Sequence, residues 1–316
     1  MPTESRRLSA RGAAEPPKLA EAAKVEAAKV GGRPKWAGGQ SGRKRPKLKR
    51  PKWAGGQSAR VRSRNDYFLS MSSTLIDLSH TIEHGMITYQ GLPAPVISDH
   101  LTREDSRAVY AAGTEFHIGK IEMVANTGTY LDSPFHRYAE GKDLAGLPLE
   151  SLANLQGLVV RQVGGAEREL ERAMFPGLKS TADNLSGPED RAISAAALEH
   201  LDVKGKAVLF HTAWDMRWRT EDYSNGSHPF LNQDAAAFLA EAGAALVGID
   251  SYNIDSTADG RRPAHSILLA AGIPIVEHLC GLRQLPTSGF RFFAVPVKVK
   301  HFGTFPVRAF AIVLDD

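Results

Sequence analysis

The chain has almost no cysteine: Cys280 stands alone among 316 residues. No intrachain disulfide can form, and a reducing compartment, the cytoplasm, is the simpler expectation. No apolar run reaches the ~18–20 residues a membrane-spanning helix needs, and the start lacks the apolar stretch of a secretory signal. No glycine-rich phosphate loop and no Gly-x-Ser-x-Gly elbow is present, which removes two common nucleotide-binding and serine-hydrolase readings. Uniform charge is missing too. The formal net charge is +4, yet residues 1–70 hold 18 Lys+Arg against 5 Asp+Glu, so residues 71–316 carry −9. The basic pI therefore describes the tail, and an inference from whole-chain charge to nucleic acid would apply to the wrong part of the protein.

Those first seventy residues are also poor in large apolar side chains, too poor to offset chain entropy by burial. They carry "RPKWAGGQS" at 33–41 and again at 50–58, joined through "GRKRPKLKR". Two short copies do not make a solenoid. The expectation is a disordered basic extension over 1–70. A sharper alternative is a salt-sensitive anchor for nucleic acid or anionic lipid, with Trp36 and Trp53 as stacking groups. Met71 directly precedes the ordered-looking sequence and offers an alternative start.

From Leu75 onward, β-rich runs alternate with helical ones. "TLIDLSHTI", "GKIEMVAN", "GLVVRQV", "KAVLFHT", "ALVGID", "IPIVEHL", "RFFAVPVKV" and "VRAFAIVL" read as strands, with Ile121, Met123 and Ala125 sharing a face. "NQDAAAFLAEAG" reads as a helix with Asn232 as N-cap, Asp234 at the positive end of the dipole and Gly243 as the stop. "PAHSILLAAG" reads as a second helix, between Pro263 and Gly272. The pattern predicts a single α/β domain over 71–316, built around a mixed sheet.

The chemistry is concentrated in "NTGTYLDSPFHR", Asn126–Arg137. Asn126, Gly128, Tyr130, Asp132 and His136 are separated by even offsets, so in extended geometry they share one face and line a pocket wall. Pro134 biases Ser133 to extended backbone. On spacing alone, an Asp and a His four residues apart are more often a local hydrogen-bonded pair than a metal site.

The stretch resembles the pattern His-x-Gly-Thr-His-x-Asp-x-Pro-x-His of the cyclase family, which includes bacterial kynurenine formamidases and isatin hydrolases. The matching residues are Gly128, Thr129, Asp132, Pro134 and His136. "LIDLSHTIEHGMITYQGLP", "HPFLNQDAAAFLAEAGAALVGIDSYNID" and "PAHSILLAAGIPIVEHL" extend the resemblance in the same order over roughly 74–314. It implies a swivelling β/β/α fold, a homo-oligomer, a small-molecule substrate and hydrolysis of an amide at a metal centre. The family's ligands are the two motif histidines, the aspartate, and a later histidine and glutamate, with the last motif histidine as acid/base. Here Asn126 and Tyr130 replace the first two histidines. Asn is a weak neutral ligand, and Tyr would have to lose a proton of pKa ~10. What remains implied is one divalent ion, zinc or manganese, on Asp132, His265 and Glu277. His136 is then the acid/base, and Tyr130 is a further catalytic candidate. The reading is a metal-dependent, arylformamidase-like hydrolase of a small aryl-amide or cyclic amide. Two others stay open: a catalytically silent, small-molecule-binding member of the fold, and a metal-independent cyclase or lyase with Tyr130 as proton donor.

Other polar residues have blander expectations. His278 follows Glu277 on a strand, so it should face the opposite side and be structural. His211 ends a strand and is as often packed as functional. Trp214 and Trp218 read as core or lid residues, and Asp250 and Asp255 as loop organisers. His80 and His84 lie where a covering loop could reach the pocket. Cys280 reads as a buried small hydrophobe.

Overall fold

Why the chain forms one large sheet follows from its shortest apolar runs. The computed structural model describes residues 73–174 and 191–314; the expected basic extension at 1–70 lies outside the described residues, as does Met71. The elements run β1 (Ser73–Asp77), β2 (Val96–Leu101), α1 (Arg103–Ser106), β3 (Ile118–Glu122), β4 (Tyr130–Asp132), β5 (Leu155–Arg161), α2 (Gly165–Met174), β6 (Ala192–Ile193), β7 (Lys206–His211), β8 (Phe230–Leu231), α3 (Gln233–Ala242), β9 (Leu246–Ile249), α4 (Pro263–Ala270), β10 (Ile275–Glu277), β11 (Phe290–Phe293), β12 (Thr304–Pro306) and β13 (Phe310–Leu314).

Nine strands make a mixed sheet in the order β1-β13-β11-β5-β7-β9-β10-β4-β12. The neighbours β5, β7, β9 and β10 are parallel, and the flanking pairs are antiparallel. The parallel strands read as continuous apolar runs because both of their faces are covered. In β7, Val208 and Phe210 pack on one side with Leu239 of α3 and Leu268 of α4. Ala207 and Leu209 pack on the other with Phe290 and Phe292 of β11 and Leu131 of β4. Each such side chain contributes about 1.5–3 kcal/mol by leaving water. Close packing also selects glycine: a Cβ on Gly157 would lie 1.9 Å from the Phe290 ring. The expected α/β fold with a mixed sheet is the observed one. Among the described residues no helix is long and apolar enough to cross a membrane.

Both expected helices form. Asn232 occupies the N-cap of α3 without a side-chain capping bond, and Gly243 closes it at φ +77°. Pro263 opens α4 at N1, where a missing N–H costs nothing. Two strand expectations need correction. "GKIEMVAN" is extended only over Ile118–Glu122 and pairs with β2 in a separate two-stranded ribbon, leaving Ile121 56% exposed. "NTGTYLDSPFHR" is a strand only at Tyr130–Asp132. Gly128 at φ +66° breaks extension before it, and Pro134–His136 form a 3₁₀ turn after it.

Candidate active site

The site lies at the carboxyl ends of β9 and β10, beside their antiparallel neighbour β4. Cross-strand register sets it up. Tyr130 pairs with Glu277 on one side and Pro306 on the other, and Asp132 pairs with Ile275 and Thr304. Tyr130, Asp132 and Glu277 therefore share a face. His136 arrives by a different route from the even spacing anticipated in the sequence. The 3₁₀ turn folds it back against the start of β12, where the N–H and Oγ of Ser133 donate to the Gly303 carbonyl at 2.7 and 2.9 Å. A Cβ at Gly303 would lie 2.6 Å from the His136 backbone, so this approach requires glycine.

Asp132 is fully buried. Its Oδ1 accepts from the Thr304 hydroxyl, whose oxygen is 2.8 Å from His136 Nδ1. Its Oδ2 has no hydrogen-bond partner and lies 3.7 Å from His265 Nε2, which is 3.8 Å from Glu277 Oε1. Ligand atoms of Asp132, His136 and His265 all fall within 4.8 Å of one another. The loop after β9 supports the group. Ile254 N–H donates to Glu277 Oε1 at 2.7 Å. Asp255 accepts from the N–H groups of Ala264 and His265, and its Oδ2 is 2.7 Å from His265 Nδ1. That contact puts the ring proton on Nδ1 and aims the Nε2 lone pair at Asp132 and Glu277, the arrangement of a metal-ligating histidine held by a carboxylate.

The group is rich in carboxylates. Burial opposes protonation of His265, but Glu277, Asp132 and Asp255 outweigh it and push the imidazole up to about 10. Burial, with Asp132 beside it, pushes Glu277 up despite His265. For Asp132, burial is outweighed by His136, His265 and the Thr304 hydroxyl, which hold it down. A divalent ion is the natural replacement for the imidazolium proton, since ligation requires neutral histidine and ionised carboxylate. An orphaned buried carboxylate oxygen, a free imidazole nitrogen and a second carboxylate are a donor set that fits zinc or manganese.

Tyr130 O–H donates to Glu277 Oε2 at 2.7 Å. Burial, then Glu277 and Asp132, push its pKa well above the usual phenol value, while a hydrogen bond with Asn126 works the other way. The two residues that replace motif histidines thus bond to each other, and Tyr130 stays a neutral phenol at pH 7. Its second neighbour corrects an expectation. His278 does not face away from Glu277: its Nε2 is 3.3 Å from the Tyr130 hydroxyl and its Nδ1 2.7 Å from that of Tyr223. The strand ends at Glu277, and His278 at φ +55° turns its ring to the same side. Burial pushes it down to about 3, so it is a neutral imidazole.

Above this group opens a cavity of about 530 Å³ whose wall includes Tyr89, Asn126, Tyr130, His136, His265 and Glu277, and buried Asp132 lies 3.7 Å behind two of them, His136 and His265. Neither His80 nor His84 reaches it. His80 stacks on Trp218 at 3.9 Å, and His84 accepts from Ile97 N–H; Tyr89–Leu92 of the same loop take that place. Trp214 is buried and donates to the Tyr223 carbonyl. Cys280 is half-buried rather than buried. His211 is packed at 2% exposure among Glu171, Asp250 and Arg161. Thr304 escaped the sequence reading because it joins Asp132 from 172 positions away with no local motif. Asp255 acts as the loop organiser expected, with a grip on His265 that spacing did not reveal.

The family model described as "Putative cyclase" matches residues 76–256. Kynurenine formamidase of Bacillus mycoides (strain KBAB4) is 25% identical over 243 residues, 75% of this chain and 97% of the relative. That of Geobacillus thermodenitrificans (strain NG80-2) is 27% identical over 195 residues, 61% of this chain and 78% of the relative. Among solved structures, isatin hydrolase A from Labrenzia aggregata shares the fold at TM-score 0.60 and 21% identity, covering 77% of this chain and 94% of that one. A predicted metal-dependent hydrolase from Bacillus stearothermophilus superposes at TM-score 0.53 and 25% identity, covering 76% and 98%. With the motif half of the sequence matched and the sheet shared, the chain belongs to the cyclase family.

Proposed function

We propose that the chain is a metal-dependent hydrolase of a small aryl-amide or cyclic amide, arylformamidase-like in its reaction. Asp132, His265 and Glu277 hold one divalent ion, and His136 is the acid/base. The observation that carries the reading is Asp132 Oδ2, a buried carboxylate oxygen with no partner, facing His265 Nε2 at 3.7 Å beneath the cavity. The named activity of the kynurenine formamidase relatives points the same way.

When bound, such an ion supplies Lewis acidity towards a carbonyl oxygen and lowers the pKa of water. The rest is done by side chains. The Thr304 hydroxyl has one proton and gives it to Asp132, so towards His136 Nδ1 it accepts. That fixes the Nδ1–H tautomer and leaves Nε2 as a base. His136, with its side chain 36% exposed to the cavity, takes a proton from the attacking water and returns it to the departing nitrogen, the step an amide needs most. Tyr130 and Ile254 hold the Glu277 oxygens in place, and Tyr89 offers an aryl ring a stacking wall backed by Tyr252 at 4.5 Å. A metal-free reaction with Tyr130 as acid is disfavoured by its raised pKa and its committed proton.

The deciding experiment is chelation of the full chain, reloading with zinc or manganese, and assay against a panel of aryl formamides and lactams. Turnover that vanishes with chelator, and elemental analysis near one ion per chain, are the expected results. An ion-loaded protein inert towards every member of the panel would make the chain a silent binding member instead. A homo-oligomer fits the β2–β3 ribbon, which exposes Val96, Ile97, Ile118 and Ile121 although a lone two-stranded ribbon is only marginally stable. A monomer by light scattering at micromolar concentration would remove that part of the reading.

A further inference from the structure

The rim of the active-site cavity is basic where its interior is acidic. Arg137, Arg261 and Arg262 line the same cavity as His136, His265 and Glu277. Arg261 is engaged: its Nε and one terminal nitrogen donate to the two oxygens of Asp259 at 3.0 and 2.8 Å. Arg137 and Arg262 bond instead to neutral oxygens. Arg137 Nε lies 3.4 Å from Ser266 Oγ, and a terminal nitrogen of Arg262 donates to the Ser256 carbonyl at 2.9 Å. Neither forms an ion pair among the described residues.

Both side chains border the first turn of α4, the turn that carries His265. The helix N-terminus is not itself the attraction, because Asp255 already takes the N–H groups of Ala264 and His265. Arg262 is held by more than solvent. It is half-buried, its backbone sits at φ +50°, a region that non-glycine residues avoid, and its N–H donates to the Asp259 carbonyl at 3.2 Å. Such conformations persist where the surroundings enforce them and collect at ligand sites. Its guanidinium also lies beside the Tyr89 hydroxyl on the cavity wall. Arg137 directly follows His136, so the turn that delivers the imidazole to the interior leaves the guanidinium at the opening.

From this arrangement we infer that the substrate carries a carboxylate, held at the rim by Arg262 with Arg137 as the second cation. The inference rests on the hydrolytic reading of the same site and names its specificity. The aryl ring lies along Tyr89, the amide points to His136 and His265, and the carboxylate is turned away from Asp132 and Glu277, which repel it. A guanidinium matches a carboxylate in shape as well as charge. A neutral aryl amide of the same size would leave both guanidiniums without an ion pair among the described residues, with Asp259 near Arg262 and the Tyr138 ring under Arg137 as their other neighbours.

The test compares 2-aminobenzoate with 2-aminobenzamide as ligands of the zinc-loaded full chain by calorimetry, and 2-formamidobenzoate with 2-formamidobenzamide as substrates. The carboxylate of each pair should be favoured at least about tenfold, a difference of ~1.4 kcal/mol. The Arg262→Gln and Arg262→Gly variants should erase most of that preference, and Arg137→Gln should reduce it. Arg262→Gly suits the φ angle, so it removes the guanidinium even if the glutamine variant misfolds. Equal affinity within each pair would overturn the inference. A preference that survives all three variants would do so too, placing the carboxylate on the ion rather than the rim. If no amide is hydrolysed, the proposed reaction fails while the binding comparison still decides the specificity.

Discussion

Two buried groups of histidine and carboxylates sit at the carboxyl ends of the parallel strands, and they are built to opposite purposes. Around His265 stand Asp132, Glu277 and Asp255, and the cations that pair with Asp132 and Glu277 among the described residues are histidines. Around His211 stand Glu171, Asp250 and Asp215, but Arg161 lies 2.9 Å from His211 Nδ1 and Arg283 3.2 Å from Asp215. Asp250 is saturated as well, accepting from Thr212 and Ala213 backbone N–H groups and the Thr212 hydroxyl. Burial outweighs those bonds and pushes Asp250 up to about 7, so it holds a proton more readily than an ordinary aspartate. No member of this second group lines the active-site cavity. A buried cluster matched by arginine and backbone donors ties strands together; one that faces a cavity with a carboxylate oxygen unpartnered is a candidate functional site.

The contrast is sharpest at Asp132 and Asp250. Asp132→Asn keeps the Thr304 bond but removes the anionic oxygen, so the bound ion should be lost and kcat/KM should fall by at least ~10³. Retained metal by elemental analysis would break the comparison. His136→Ala comes next: kcat should fall ~10²–10⁴ with metal content kept, and less for a substrate with a good leaving group. If that variant emptied the site, His136 would be a ligand, as its place within 4.8 Å of Asp132 and His265 allows.

Asp250→Ala should act on stability instead. It strands three buried donors, at a cost of roughly 3–5 kcal/mol, or about 6–20 °C at 2–4 °C per kcal/mol. Denaturant melts that leave stability unchanged would make the second group as idle as a solvated one. A further effect is on pH. Burial pushes His278 down to about 3 and His80 to about 4. Their folded values lie below the unfolded ~6.5, so the stability they protect is present above 6.5 and drains as pH falls towards 3. His265, pushed up to about 10 without metal, has the opposite sign. Its contribution is complete below ~6.5 and is lost as pH rises towards 10. Metal-free protein should therefore melt lower on both flanks, and metal should remove the alkaline loss. Thermal scans across pH with and without zinc check both signs.

Glu277 and His278 illustrate how far sequence order reaches. The resemblance to a family segment points to Glu277, and the register with Tyr130 brings it to the cavity. Strand alternation places His278 on the far face, a rule that holds only while φ stays negative; at +55° it fails. Even spacing groups Asp132 with His136 by a route that the chain does not use, since a strand of three residues and a 3₁₀ turn bring them together.

The sequence by itself determined the alternating α/β order, the mixed sheet, the helix stop at Gly243, the helix start at Pro263 and the family, because these depend on local periodicity, turn chemistry and motif order. Only the tertiary structure decided which histidine lies among carboxylates beneath a cavity and which is sealed by arginine. That depends on Thr304 and Asp132, Asp255 and His265, and Arg161 and His211 meeting across 172, 10 and 50 positions. Burial and partner charge, which set a side chain's chemistry, are properties of such meetings and have no period along the chain.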